Sequence, residues 1–141
     1  MDILILNGPN LNQLGRRQPD LYGTRSFDDF LPELAERFPD LRLEYRQSNH
    51  EGYLIDHLHQ TKANGVVINA GGFTHTSVAL ADAVACLACP IVEVHLTNLY
   101  AREQIRRRSL TAPHCLGVIT GFGLEGYALA LHALTTAQQA S

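Results

Sequence analysis

Residues 3–23 read Ile3-Leu4-Ile5-Leu6-Asn7-Gly8-Pro9-Asn10-Leu11-Asn12-Gln13-Leu14-Gly15-Arg16-Arg17-Gln18-Pro19-Asp20-Leu21-Tyr22-Gly23. The first four form an apolar run that predicts a buried strand, and Ser26-Phe27-Asp28-Asp29 beyond the stretch predicts a helix start. A strand-to-helix connection in an α/β fold usually needs only a few residues. This one is several times longer and carries three Asn, two adjacent Arg and a Tyr. Long polar loops at strand ends are lids or binding loops where they are not disordered linkers, and Pro9, Pro19 and the glycines predict defined turns. A lid over roughly residues 10–25 is the resulting expectation.

Outward from that stretch, strand and helix patterns alternate. Ser26 and Asp29 have capping-box spacing, and Phe27, Phe30, Leu31, Leu34 and Phe38 follow helical spacing up to Pro39-Asp40. Leu41 to Arg46 alternates and predicts a half-buried strand at or near an edge. A second helix puts Leu54, Ile55 and Leu58 on one face, and Val66-Val67-Ile68 is a short β-branched strand. Thr74 or Ser77 caps an alanine-rich third helix, and Ile91 to Leu96 follows as a strand. Asn98 caps a short helix near Arg102, Leu116 to Thr120 is the fifth strand, and a last helix from about Leu124 carries Tyr127, Leu131 and Leu134 inward before fraying at Ala137 to Ser141. Five strands interleaved with helices predict a flavodoxin-like three-layer α/β sandwich with a parallel sheet of order 2-1-3-4-5. Ligands of such folds bind at the carboxyl ends of the strands where the order reverses. The unusual polar residues lie at three such ends: Asn7 to Tyr22, Asn69 to His75, and His95 to Arg106.

At 141 residues the chain is expected to be one domain with a substantial core. A formal net charge of −3 argues against a general nucleic-acid binder, while Arg16-Arg17 and Arg106-Arg107-Arg108 suit a small anionic ligand. No apolar stretch approaches membrane-spanning length, no signal peptide is expected, and three cysteines argue against a secreted disulfide framework. A cytoplasmic location follows as the expectation.

Several motifs carry a bland and a sharp reading. Gly121-Phe122-Gly123-Leu124-Glu125-Gly126 matches a dinucleotide fingerprint but is not followed by another strand with its acidic residue, so it reads as a tight turn with close helix packing. Cys86-Leu87-Ala88-Cys89 precedes Pro90 at a helix end rather than a helix N-terminus, and reads as small core residues. The seven histidines lack metal-ligand spacing, and Lys62 falls at the wrong end of the sheet for Schiff-base chemistry. Alternation puts Glu93 and His95 on one face at a strand's C-terminal end, so the carboxylate either orients the imidazole or anchors a neighbouring loop. Tyr22 is either a loop anchor or a base, since a nearby guanidinium favours a phenolate. Arg102 and Arg106, four apart on a predicted helix, share a face that is either solvated or clamps substrate oxygens. Asn10, Asn12 and Asn69 serve turns or hold an oxyanion or a carboxylate.

Asn7-Gly-Pro-Asn-Leu-Asn, Tyr22-Gly, Gln47-Ser-Asn-His-Glu-Gly, Ile68-Asn with Thr74-His-Thr-Ser-Val-Ala-Leu, and Glu93-Val-His-Leu with Ala101-Arg-Glu closely resemble type II 3-dehydroquinate dehydratase. The resemblance runs from about Ile3 to Leu134. It implies the third step of the shikimate pathway, trans-elimination of water from 3-dehydroquinate through an enolate, without metal, Schiff base or other cofactor. It implies Tyr22 on the lid as the base, activated by Arg17, and Asn10 stabilising the enolate through a water. His95 would protonate the leaving hydroxyl, with Glu93 orienting it. Asn69 and the backbone amides of Leu96 and Thr97 would hold the substrate carboxylate, His75 and Arg106 the ring hydroxyls, and Arg102 would join the surrounding network. The family assembles as trimers grouped into a dodecamer, and Asp82 matches an aspartate that reaches a neighbouring subunit's site. The chain departs from the family at Ala81, where Arg is frequent, at Gln104-Ile105, and after Ser109, where an aromatic is common. The rival class is a flavodoxin-like binding or receiver module. A receiver needs acidic residues at the strand ends and a lysine on the last strand, where this chain has Asn, His and Thr120.

Overall fold

The structure, a computed structural model, describes residues 1–140. Five strands, β1 (Asp2–Asn7), β2 (Arg42–Gln47), β3 (Gly65–Asn69), β4 (Ile91–His95) and β5 (Gly117–Thr120), form one parallel sheet of order β2-β1-β3-β4-β5. Five α-helices accompany them: α1 (Pro19–Tyr22), α2 (Phe27–Arg37), α3 (Glu51–Gln60), α4 (Val78–Ala85) and α5 (Glu125–Ala140).

Every residue of β3 and β4 is buried, whereas the β2 and β5 edges stay partly exposed. The period-2 geometry of a strand sends alternate side chains to opposite faces. Ile3, Ile5, Val67, Val92 and Val94 pack with Phe27, Phe30 and Leu34 of α2 and Tyr127, Leu131 and Leu134 of α5. Leu4, Leu6, Val66, Ile68 and Ile91 pack on the other face with Leu54 and Leu58 of α3 and Leu80 and Val84 of α4. The result is the three-layer sandwich.

Local signals act as their chemistry requires. The Ser26 hydroxyl accepts from the Asp29 amide at 3.1 Å and caps α2. Of the two candidate caps of α4, Ser77 serves: it accepts from the Leu80 amide and donates to Glu51 of α3 at 2.5 Å. The Thr74 hydroxyl is buried without a hydrogen-bond partner. Gly121 and Gly123 adopt left-handed φ of +99° and +57°, and a Cβ on Gly126 would stand 3.1 Å from Val94 Cγ1, so this glycine run is a tight turn with close helix packing.

Three expectations are corrected. Cys86 caps the end of α4 and is exposed, while Cys89 is half-buried and packs against the edge of the core beside Leu87. Arg102 and Arg106 do not share a helix: Arg102 ends the 3-10 turn Leu99–Ala101 and Arg106 lies in the next one, Gln104–Arg107. The last helix stays helical through Ala140 where fraying was expected from Ala137, and Ser141 lies outside the described residues. No helix among the described residues is long and apolar enough to cross a membrane.

Candidate active site

The C-terminal ends of β1, β3 and β4 open into a cavity of about 90 Å³ lined by Asn10, Arg17, Tyr22, Asn69, His75, His95, Leu96, Thr97, Arg102 and Arg106, among others. The register explains the convergence. Asn7 of β1 stands opposite Asn69 of β3, and β4 runs alongside to end at His95. The chain leaves each strand end at the same level, so its polar exit residues surround one crevice.

The long connection supplies Asn10, Leu11, Arg17 and Tyr22 to the same lining. It contains a 3-10 turn, Leu11–Gln13, and the one-turn helix α1, whose first residue Pro19 needs no amide donor. Asn10 and Gln18 hold left-handed φ of 70° and 40°, a backbone state that costs non-glycine residues on the order of 1–2 kcal/mol each. Buried Leu11 and Leu14 anchor the segment to the core. Tyr22 ends α1 between two cations: the Arg17 guanidinium lies 4.8 Å from the ring centroid and that of Arg102 5.6 Å. Arg102 Nη1 donates to the Tyr22 hydroxyl at 3.1 Å and to Thr97 Oγ1 at 3.0 Å.

On the sheet side, Glu93 and His95 point to the same face, and His95 Nε2 donates to Glu93 Oε2 at 2.8 Å, with both side chains 5% exposed or less. The other carboxylate oxygen accepts from Ser109 Oγ at 3.0 Å and from Thr111 Oγ1. Glu93 thus hydrogen-bonds both the imidazole and the 109–111 loop. Burial pushes its carboxyl up, but the hydrogen bonds from His95, Thr111 and Ser109 outweigh that and hold it below the ordinary 4.5, so Glu93 is an anion behind the histidine. With Nε2 committed to Glu93, Nδ1 is the His95 nitrogen left for a ligand.

His75 stacks beside His95 at 6.1 Å between centroids. Its Nδ1–H donates to the Arg108 carbonyl at 2.7 Å, and burial pulls its pKa below 6.5. The ring is therefore neutral at pH 7 and offers Nε2 as an acceptor. Arg106 is held by Glu103, whose carboxyl that hydrogen bond keeps low. Asn69 accepts the Gly71 amide on Oδ1 at 3.2 Å and donates from Nδ2 to the Tyr127 hydroxyl at 3.0 Å. Asn10 lines the cavity, its backbone N–H donating to Asn49 Oδ1 at 3.0 Å. Asp82 is exposed on α4 and does not line the cavity of its own chain. Lys62 is also absent from the lining, and no cluster of three or more His, Cys, Asp or Glu able to hold a metal ion occurs among the described residues.

Sequence reasoning missed Ser109, Thr111 and Tyr127. Each acts across a long separation, 58 residues from Tyr127 to Asn69, and no local pattern marks such a pairing.

Fold and site together define a flavodoxin-like α/β enzyme whose cavity sets a tyrosine between guanidinium groups against a histidine backed by a buried carboxylate. The description of dehydroquinase class II matches residues 1–135. The chain is 56% identical over 136 residues to the 3-dehydroquinate dehydratase of an Exiguobacterium species, covering 95% of this chain and 94% of that protein. It is 52% identical over 136 residues to the enzyme of that name from Rhizobium johnstonii, covering 94% of both chains. The crystal structure of type II dehydroquinase from Propionibacterium acnes superposes with a TM-score of 0.90 at 44% identity, covering 96% of each chain. This chain belongs to the class II dehydroquinase family.

Proposed function

We infer that this chain removes water from 3-dehydroquinate to give 3-dehydroshikimate, by trans-elimination through an enolate. The observation that carries the reading is that one cavity is lined both by Tyr22, with Arg17 and Arg102 at its ring, and by His95, held by an anionic Glu93. The tyrosine suits removal of a proton and the histidine suits its delivery.

Tyr22, as phenolate, takes the proton beside the ketone, and the electron pair moves onto the ketone oxygen as an enolate. The flanking guanidinium groups balance the phenolate charge. Asn10 stabilises the enolate oxygen through a water. The enolate then collapses, the carbon–oxygen bond of the leaving hydroxyl breaks, and His95 gives that hydroxyl its Nδ1 proton while keeping the Nε2 proton on Glu93, so one water leaves. Glu93 holds the imidazole in place for this transfer. The Asn69 amide and the Leu96 and Thr97 backbone amides take the substrate carboxylate, and His75 and Arg106 take the ring hydroxyls; all five residues line the cavity.

Residues 10–25 act as a lid on a single catalytic domain 1–141. Support comes from two hollows that Tyr22 lines at once: the cavity, and a depression lined also by Leu21, Thr24, Arg25, Phe30 and Leu124. The active form is an assembly of trimers into a dodecamer in the cytoplasm, with Asp82 completing a neighbouring subunit's site. Exposed Val78 on α4, and Leu116 and Val118 along the β5 edge, support burial against further copies.

The test is to follow the ultraviolet absorbance of the conjugated enone product, with a Tyr22→Phe variant alongside. Wild type is expected to turn over, and the folded variant to lose about 10²–10⁴ in kcat. Equal turnover by both would move the base elsewhere, and no product from assembled wild type would replace the reading with a ligand-binding role.

A further inference from the structure

Tyr127 lies in the middle of the core on α5, fully buried, with Phe27 edge-on at 4.8 Å between centroids. Its ring packs as an ordinary core aromatic, but its hydroxyl does not sit in apolar surroundings. It donates to Asn7 Oδ1 at 2.7 Å and accepts from Asn69 Nδ2 at 3.0 Å. Asn7 and Asn69 end β1 and β3 as direct partners in the parallel register and are 0% and 3% exposed. Asn7 Nδ2 in turn donates to the Tyr45 hydroxyl at 3.4 Å. Of the two asparagines only Asn69 reaches the cavity.

This network has one direction. The Gly71 backbone N–H donates to Asn69 Oδ1 at 3.2 Å, and a backbone amide can only donate. That contact requires the carbonyl side of Asn69 to face Gly71, so the NH₂ side faces Tyr127. The Tyr127 hydroxyl can accept from Asn69 because its own proton goes on to Asn7 Oδ1. Burial raises the phenol's pKa, so that proton is present throughout the working pH range. An Asn amide carries two N–H donors. One is used by Tyr127, and the second is available to the cavity.

We propose that Tyr127, held by Asn7, is a positioning residue that fixes the side-chain amide of Asn69 so that it presents an N–H, and not its carbonyl, to an anionic oxygen of the substrate. Flipping Asn69 would set its NH₂ against the Gly71 N–H and turn a carbonyl dipole toward the carboxylate. Tyr127 touches no substrate; it acts through Asn69 alone. The inference rests on the reading that Asn69 binds the substrate carboxylate.

The experiment is a double-mutant cycle of Tyr127→Phe and Asn69→Ala on the intact assembly, with steady-state kinetics on 3-dehydroquinate and calorimetric titration with the carboxylate product 3-dehydroshikimate. Tyr127→Phe keeps the ring and its packing. It is expected to raise KM and weaken product binding about tenfold, with kcat within about threefold of wild type. In the Asn69→Ala background the same change is expected to add less than about twofold, because the residue through which it acts is gone. Asn7→Ala serves as the second variant if Tyr127→Phe does not fold: it leaves the Tyr127 proton free to turn toward Asn69, and is expected to raise KM although Asn7 does not line the cavity. A folded Tyr127→Phe with unchanged KM overturns the proposal, and so do losses that multiply across the cycle. Wild-type turnover judges the reading of the reaction, and Asn69→Ala alone judges the carboxylate contact. An unchanged KM in Asn69→Ala removes that contact and the proposal with it.

Discussion

Glu93→Gln is nearly isosteric and changes only charge and donor pattern, so it isolates the role of the buried carboxylate. Glu93 receives one proton from His95 Nε2 and two from the hydroxyls of Ser109 and Thr111. Glutamine offers a single carbonyl oxygen and an NH₂ group. The Ser109 oxygen already accepts from the Ala112 amide at 2.9 Å, which favours keeping its own proton directed at residue 93. The carbonyl therefore turns to the hydroxyls, and the NH₂ faces the imidazole. His95 must then accept on Nε2 and carry no proton there, so giving up its Nδ1 proton to the substrate would leave an imidazolate.

An amide-for-carboxylate change behind a triad histidine in another fold costs about 10⁴ in kcat. Even the alternative orientation replaces a charge-assisted bond with a neutral one roughly half as strong, a loss of about 1–2 kcal/mol, or about five- to thirtyfold. A loss of about 10³ in kcat, close to 4 kcal/mol, is the expected result. KM should move little, since Glu93 does not line the cavity. Adding Ser109→Ala and Thr111→Val removes the hydroxyls that hold the carbonyl and should restore part of the loss. Thermal unfolding gives a second readout. The folded carboxyl sits below its ordinary 4.5, so its contribution to stability is present above pH 4.5 and is lost as pH falls through the folded value. The difference in melting temperature between wild type and Glu93→Gln should shrink in that window. A folded Glu93→Gln with kcat within fivefold of wild type would refute the argument.

Two further outcomes follow from the same structure. A Cβ on Gly8 would stand 2.4 Å from the Ala70 carbonyl oxygen, a backbone atom, where the Gly8 amide already bonds Asn69 O at 2.7 Å. Gly8→Ala should force the β1 and β3 exits apart and cost about 3 kcal/mol, near 10 °C in melting temperature, and a shift under 2 °C by calorimetry would contradict it. His75 has a folded pKa below 6.5, so the unfolded chain takes up its proton first and the stability present above pH 6.5 declines as pH falls toward the folded value. His75→Asn should flatten melting temperature against pH between about 7 and 5, and equal slopes would count against a neutral, half-buried ring.

Much of this protein was legible before any coordinates. Ile3-Leu4-Ile5-Leu6 and Val66-Val67-Ile68 announce strands buried on both faces, and Phe27, Phe30 and Leu34 announce a helix laid on one of them. Glu93 and His95 were recognisable as a pair because strand alternation is a local rule. The overlong connection after β1 was visible, though not its helix α1, whose four residues carry too little pattern to be read. Arg102 and Arg106 were assigned to one helix because their spacing is helical. The structure divides them between two 3-10 turns, and the cavity gathers them all the same.

The amino-acid order by itself determined the layers, the strand order and the three strand ends that bear the chemistry, because period-2 and period-3.6 patterns are short-range and each residue's neighbours declare them. Only the tertiary structure decided which polar groups meet: Arg102 on the Tyr22 hydroxyl across 80 residues, Tyr127 on Asn7 across 120, and Ser109 and Thr111 on Glu93. A hydrogen bond depends on a few tenths of an ångström and on donor direction. Those are fixed by the register of the parallel sheet and the docking of the helices on it, and neither is encoded at any single site in the chain.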